Sequence, residues 1–226
     1  MSHSIQALIF DMDDTLVATA PIWRDAENTL LRALGHPDFP LAERCKGMNA
    51  RDVAATAHRE LSGTMPLPQC QRLMRARLLE NFGRLPIEAV PGAMALVQRC
   101  RATGLPMAVA SGSPMQAIAH AMDSLGIRQH MRVLVASESV ERGKPHPDVF
   151  IATAEKLNVP PGNCLVFEDS LVGVKAAAAA GMRCMVRPSI PGSIPADLAM
   201  RVVRDWDEVP IHELDIGIHM GSAEKI

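Results

Sequence analysis

Ile5 to Phe10 reads IQALIF, an almost continuous apolar run of strand length. Such a run suits a strand buried on both faces of a parallel sheet. It stops abruptly at Asp11, Asp13 and Asp14. From about Ala18 to Pro86 the spacing turns helical, with no convincing strand. Ile22, Ala26, Leu30 and Leu34 share one helical face, with Pro21 near its start and Gly35 after its end. Asn49 can cap a helix carrying Val53, Ala54, Ala57 and Leu61. Met74, Leu78, Phe82 and Leu85 give a third face, and GTMPLP (63–68) reads as a loop.

After Val90 the pattern alternates. Pro91 opens a helix with Ala93, Leu96, Val97 and Cys100 inward, closed by Gly104. Leu105 to Ala110 is a second apolar strand, ending in Ser111-Gly112-Ser113. Met115, Ile118, Met122 and Leu125 mark a helix ended by Gly126, and Val133 to Ala136 a short strand. A helix over 147–157, a strand over 164–167 ending in Glu168-Asp169-Ser170, an Ala-rich helix over 172–180 and a strand over 182–186 follow. Residues 201–203 give a weaker last strand. Strands separated by helices imply βαβ units. The pattern predicts an α/β fold. Residues 1–17 and 89–215 would form a doubly wound parallel sheet, with an α-helical cap inserted at 18–88. The tail, 216–226, has no periodicity and is expected to be loose.

Composition narrows the class. Of 226 residues, 48% are hydrophobic and 21% charged, a globular balance. A formal net charge of −2 gives no basic field for nucleic acid or anionic lipid. Aromatics are 3% and Tyr is absent, which argues against a base-stacking platform. The five cysteines form no CxxC pair and read as buried thiols in a reducing compartment. No apolar run reaches membrane-spanning length, and MSHSIQ lacks the regions of a signal peptide. A cytoplasmic enzyme is the expected class, working on a small molecule as a monomer or weak dimer.

The chemistry gathers at strand ends. In extended backbone Asp11 and Asp13 project to the same side. Two carboxylates that close raise each other's pKa unless a cation intervenes, and Mg²⁺ would serve. The alternative is a strand end followed by a polar turn. Ser111, the pair Glu168 and Asp169, and Lys144 in Gly143-Lys144-Pro145 can converge with them on one crevice if the strands are parallel. A carboxylate pair, a hydroxyl, an ammonium and a further acidic pair are what phosphoryl transfer onto a carboxylate needs.

These residues resemble the motifs of the haloacid dehalogenase superfamily, in its phosphatase branch with a small helical cap, over roughly residues 5 to 210. Asp11-Met12-Asp13-Asp14-Thr15 matches its DxDxT motif. Ser111, Lys144 and the Glu168-Asp169 pair match the second, third and fourth motifs in order. The resemblance implies that Asp11 is the nucleophile, forming an aspartyl-phosphate, and that Asp13 is the acid and base. It implies Mg²⁺ held by Asp11, the Asp13 carbonyl and Asp169, with Thr15, Gly112 and Glu168 in support. Ser111 and Lys144 would bind phosphoryl oxygens. Within the superfamily the chain is similar to deoxyglucose-6-phosphatase-like and β-phosphoglucomutase-like members.

Two features depart from the common pattern. Asp14 stands where Gly is frequent, and Ala18-Thr19-Ala20 replaces a charged Asp-Ser-Glu. In the cap, Lys46, Gly47 and Arg51 could meet an anionic or polyhydroxy substrate, or form a solvated basic turn. His146 reads as filler, since the Asp pair covers proton transfer. The expected activity is a Mg²⁺-dependent phosphatase for a small phosphorylated metabolite, a sugar phosphate above others. The alternatives are a phosphomutase, a phosphoglycolate phosphatase, a haloacid dehalogenase, which Asp13 argues against, and a non-enzymatic module.

Overall fold

The computed structural model describes residues 4–61 and 65–215. Six strands form one sheet: β1 (Ala7–Phe10), β2 (Met107–Ser111), β3 (Met131–Ala136), β4 (Cys164–Glu168), β5 (Arg183–Val186) and β6 (Arg201–Val202). Their order is β3-β2-β1-β4-β5-β6, and every adjoining pair is parallel. The period-2 side-chain alternation explains why the central strands β1, β2 and β4 are apolar up to their ends. Leu8 and Phe10 of β1 join one core, while Ala7 and Ile9 join another on the opposite face. β4 divides in the same way, Leu165 and Phe167 against Cys164 and Val166. With both faces covered, no polar position is tolerated until the strand ends.

Helices α5 (Ala93–Ala102) and α6 (Met115–Ser124) cover one face, and α7 (Asp148–Leu157) and α8 (Leu171–Ala179) the other. Phe10 stacks on Phe167 with ring centroids 4.8 Å apart, and Trp206 meets Phe167 edge-on. Trp206 Nε1 donates to the Thr15 carbonyl at 3.0 Å, tying the C-terminal segment to the loop after β1.

Between β1 and α5 lie four helices and, among the described residues, no strand: α1 (Ala20–Ala33), α2 (Leu41–Cys45), α3 (Ala50–Leu61) and α4 (Leu67–Arg84). Asn49 caps α3 as expected, its Oδ1 accepting from the Asp52 amide at 3.0 Å. Three details differ from the sequence pattern. α2 is five residues long, too short to show a period. α4 starts inside the expected 63–68 loop, because Pro68 fits a first helical turn, where no amide is needed. Leu85 falls just beyond α4 and is half-buried. The chain leaves and returns to the sheet side by side: Ala18 N donates to Glu88 O at 2.9 Å and Val90 N to Leu16 O at 3.0 Å. The tail 216–226, expected to be loose, lies outside the described residues. No helix among them is long and apolar enough to cross a membrane.

Candidate active site

The strand order reverses at β1, with β2 on one side and β4 on the other. Open α/β sheets place ligands in the crevice beyond the carboxyl ends at such a point. Asp11 follows β1 there, Ser111 ends β2, Glu168 ends β4 and Asp169 comes next. Lys144 reaches them from the loop before α7. Asp11, Ser111, Lys144, Glu168 and Asp169 are all buried.

Lys144 is the hub. Its Nζ lies 2.6 Å from Asp11 Oδ1, 2.7 Å from Glu168 Oε1 and 3.3 Å from the Ala110 carbonyl. Burial opposes its charge, but Asp11 and Glu168 outweigh that and push its pKa up, so the ammonium stays charged. Asp11 also departs from a free carboxylate. Burial lifts its pKa well above the ordinary range against the pull of Lys144, and Glu168, Asp13 and Asp169 add to the rise. Asp169 is pushed up to about 7, by burial first and Glu168 next, with Lys46 opposing.

Asp11, Glu168 and Asp169 each bring a carboxylate oxygen within 4.8 Å of the others. Asp169 Oδ2 is buried without a hydrogen bond; the Lys46 ammonium approaches it at 3.3 Å as an ion pair. Crowded, buried carboxylates, with the pKa values of Asp11 and Asp169 raised and one oxygen open, fit a hard divalent cation, which would supply the missing positive charge. The donors are not equally free. Glu168 Oε2 accepts from the Asp169 amide, the Ser170 amide and Ser170 Oγ, while its Oε1 holds Lys144. That carboxylate sits where a Cβ on Gly173 would be, 1.9 Å from Glu168 Cδ, so only Gly fits there. Thr15 Oγ1 donates to Asp169 Oδ1 at 3.5 Å.

Asp13 is half-buried and points to a different set of donors. Ser111 Oγ reaches its Oδ2 at 2.7 Å, Ser113 Oγ reaches both oxygens at 3.0 Å, and Trp23 Nε1 reaches Oδ1 at 2.8 Å. Ser113 and Trp23 were not singled out in the sequence. Asp14 has a left-handed backbone, φ 57°. Its Oδ1 accepts from the Thr19 and Ala20 amides, at the start of α1. Its Oδ2 takes the Lys46 ammonium.

The cap residues separate. Lys46 and Gly47 line the cavity that contains Asp11, Asp13 and Asp169. Arg51 does not; it turns to the Glu141 carbonyl at 2.8 Å and lines a second cavity with Arg72 and Arg75. Gly112 borders both cavities and lies under the Met48 and Asn49 backbone. His146 is exposed on the surface. All five cysteines are buried and unpaired, as the sequence suggested.

A parallel sheet with this strand order, bearing an acidic and metal-competent centre at its switch point, defines an α/β enzyme of the carboxylate-centred kind. The haloacid dehalogenase-like hydrolase description matches residues 5–181, and the chain belongs to that family. It is 30% identical over 191 residues to hexitol phosphatase B of Escherichia coli K12, covering 83% of this chain and 85% of that one. The structure of CbbY from Rhodobacter sphaeroides in complex with phosphate superposes with a TM-score of 0.79 at 27% identity, covering 91% of this chain and 96% of that one. A variant of that protein, in complex with xylulose-(1,5)bisphosphate, matches with the same TM-score, identity and coverage.

Proposed function

We propose that this hydrolase is a Mg²⁺-dependent phosphatase of small phosphorylated metabolites, sugar or polyol phosphates above others. The observation that carries the reading is the buried Lys144 shared by Asp11 and Glu168 at the sheet's switch point. A fixed ammonium there suits a phosphoryl group arriving beside Asp11. The hexitol phosphatase relative and the phosphate-bound neighbour support the same class.

In this reading Asp11 attacks phosphorus, forming an aspartyl-phosphate as the ester P–O bond breaks. Asp13 gives its proton to the leaving oxygen. It then takes a proton from water as that water attacks phosphorus, which frees phosphate and restores Asp11. Lys144 and Ser111 hold phosphoryl oxygens. Thr15, Gly112 and Glu168 keep the loops in place, and Asp11, the Asp13 carbonyl and Asp169 would hold Mg²⁺. Bound there, the ion would offset charge on the transferring group. The segment 18–88 acts as a cap over the site, with Lys46 and Gly47 facing the substrate and Arg51 on its flank.

The test is phosphate release across phosphorylated metabolites with Mg²⁺, for the native protein and Asp11→Asn. The variant is expected to fold and to lose turnover. Turnover within tenfold of the native rate, ~1.4 kcal/mol of transition-state stabilisation, would exclude Asp11 as nucleophile.

A further inference from the structure

The cavity in front of Asp11 has a volume of ≈ 290 Å³ and runs outward along α1. Thr19, Trp23 and Glu27 all line it. They are spaced four residues apart, so they form one stripe on the helix. Trp23 is engaged with Asp13. The other two have nothing to hold. Thr19 Oγ1 is buried without a hydrogen-bond partner among the described residues. Glu27 is 6% exposed and makes no hydrogen bond or contact ion pair with them; Lys46 and Arg24 act on it only at longer range.

A buried carboxylate and a buried hydroxyl without partners are costly, and native structures rarely keep them without reason. Both residues line the same cavity, Thr19 at the start of α1 and Glu27 about two turns further on. Trp23 to Glu27 is ~6 Å along the helix axis, within reach of a short hydroxylated chain starting at a phosphorus beside Asp11. A carboxylate accepts from ligand hydroxyls, and a threonine hydroxyl can both donate and accept.

We infer that Glu27 and Thr19 recognise hydroxyl groups on the leaving portion of the substrate. The site thereby selects neutral polyhydroxy phosphate monoesters over esters carrying a second anionic group. This rests on the phosphatase reading above. A second phosphate or carboxylate would meet the Glu27 carboxylate, with Glu43 also lining the cavity. Lys46, the cation that acts most strongly on Glu27, is already paired with Asp14 and Asp169. Arg24, an exposed residue, is the other lysine or arginine among the described residues that line the cavity.

The test compares kcat/KM for sorbitol 6-phosphate, fructose 1,6-bisphosphate and 4-nitrophenyl phosphate. The proteins are the native chain, Glu27→Ala, Glu27→Gln, Glu27→Leu and Thr19→Val. The native protein is expected to favour sorbitol 6-phosphate over the bisphosphate. Glu27→Ala should lose at least ~10-fold more on sorbitol 6-phosphate than on the nitrophenyl ester, mainly through KM. Glu27→Gln should recover part of that loss, and Thr19→Val should show a smaller one. Because the carboxylate is unpartnered, Glu27→Leu should melt no lower than the native protein while losing the same selectivity. Equal losses on both esters, a lower melting point for Glu27→Leu, or a native preference for the bisphosphate would overturn the inference. Asp11-dependent release of nitrophenol without Glu27-dependent selectivity would sink this inference alone. No release from any ester would sink the phosphatase reading and this inference with it.

Discussion

Glu27 and Lys144 are both buried charges, and their surroundings treat them in opposite ways. Lys144 has two carboxylates against it, whereas burial pushes Glu27 up to about 7 from an ordinary 4.5. The folded chain therefore binds the Glu27 proton more tightly than the unfolded chain does. By linkage, its contribution to stability falls as pH rises from about 4.5 and levels off above about 7. Glu27→Gln removes that slope. The variant is expected to match the native protein near pH 4 and to exceed it by up to ~3 kcal/mol near pH 8, read by urea unfolding at both. Equal differences at the two pH values would show that the carboxylate is not desolvated. In the sequence, Asp11, Ser111, Lys144, Glu168 and Asp169 stood out because acids and hydroxyls interrupt apolar runs. Trp23 and Glu27 did not, and Thr19 drew notice only as part of Ala18-Thr19-Ala20. Trp23 and Glu27 lie on a helix whose periodic signal comes from Ile22, Ala26 and Leu30, and a polar stripe beside that face looks like ordinary solvent surface.

At the level of elements, the central strands β1, β2 and β4 were the most readable part, since burial on both faces leaves only apolar residues until the strand ends. The α2 helix was invisible for the opposite reason, being barely more than one turn. Lys46 and Arg51 read as one basic cluster because they are close in sequence. The turn at Lys46-Gly47 and the start of α3 send them apart, one toward Asp14 and Asp169, the other to Glu141. Gly47 makes that turn possible. Its φ is +81°, and a Cβ there would lie 2.3 Å from Ser170 Oγ and 2.7 Å from Val172. Ser170 cannot give way easily, because its Oγ caps α8 through the Gly173 amide and donates to Glu168. Gly47→Ala should therefore force the Lys46 turn off the crevice. Its kcat/KM is expected to fall by ~10-fold or more, with the circular dichroism spectrum unchanged. Activity within twofold of native would mean that this contact is not part of the working state.

The whole molecule joins a rigid sheet to a helical segment through two adjacent crossings, at Leu16–Ala18 and Glu88–Val90. The doubly wound class was legible because helix and strand periods alternate after Val90 and do not before it. How the two parts meet was not, since it depends on close approaches such as Gly112 under Met48 and Asn49, which have no sequence period. The central claim is that phosphate passes through Asp11 covalently, with Asp13 serving both steps. Asp13→Asn tests it most directly, because Asn can keep the shape that Trp23, Ser111 and Ser113 surround. A nitrophenyl ester leaves as a stable phenolate and needs little help from an acid, but hydrolysis of the aspartyl-phosphate still needs a base. Loss of that base slows the second step by ~10²–10⁴-fold. Rapid mixing of the variant with 4-nitrophenyl phosphate and Mg²⁺ should release about one phenolate per site and then stall. Steady multiple turnover at the native rate, without a burst, would contradict the account.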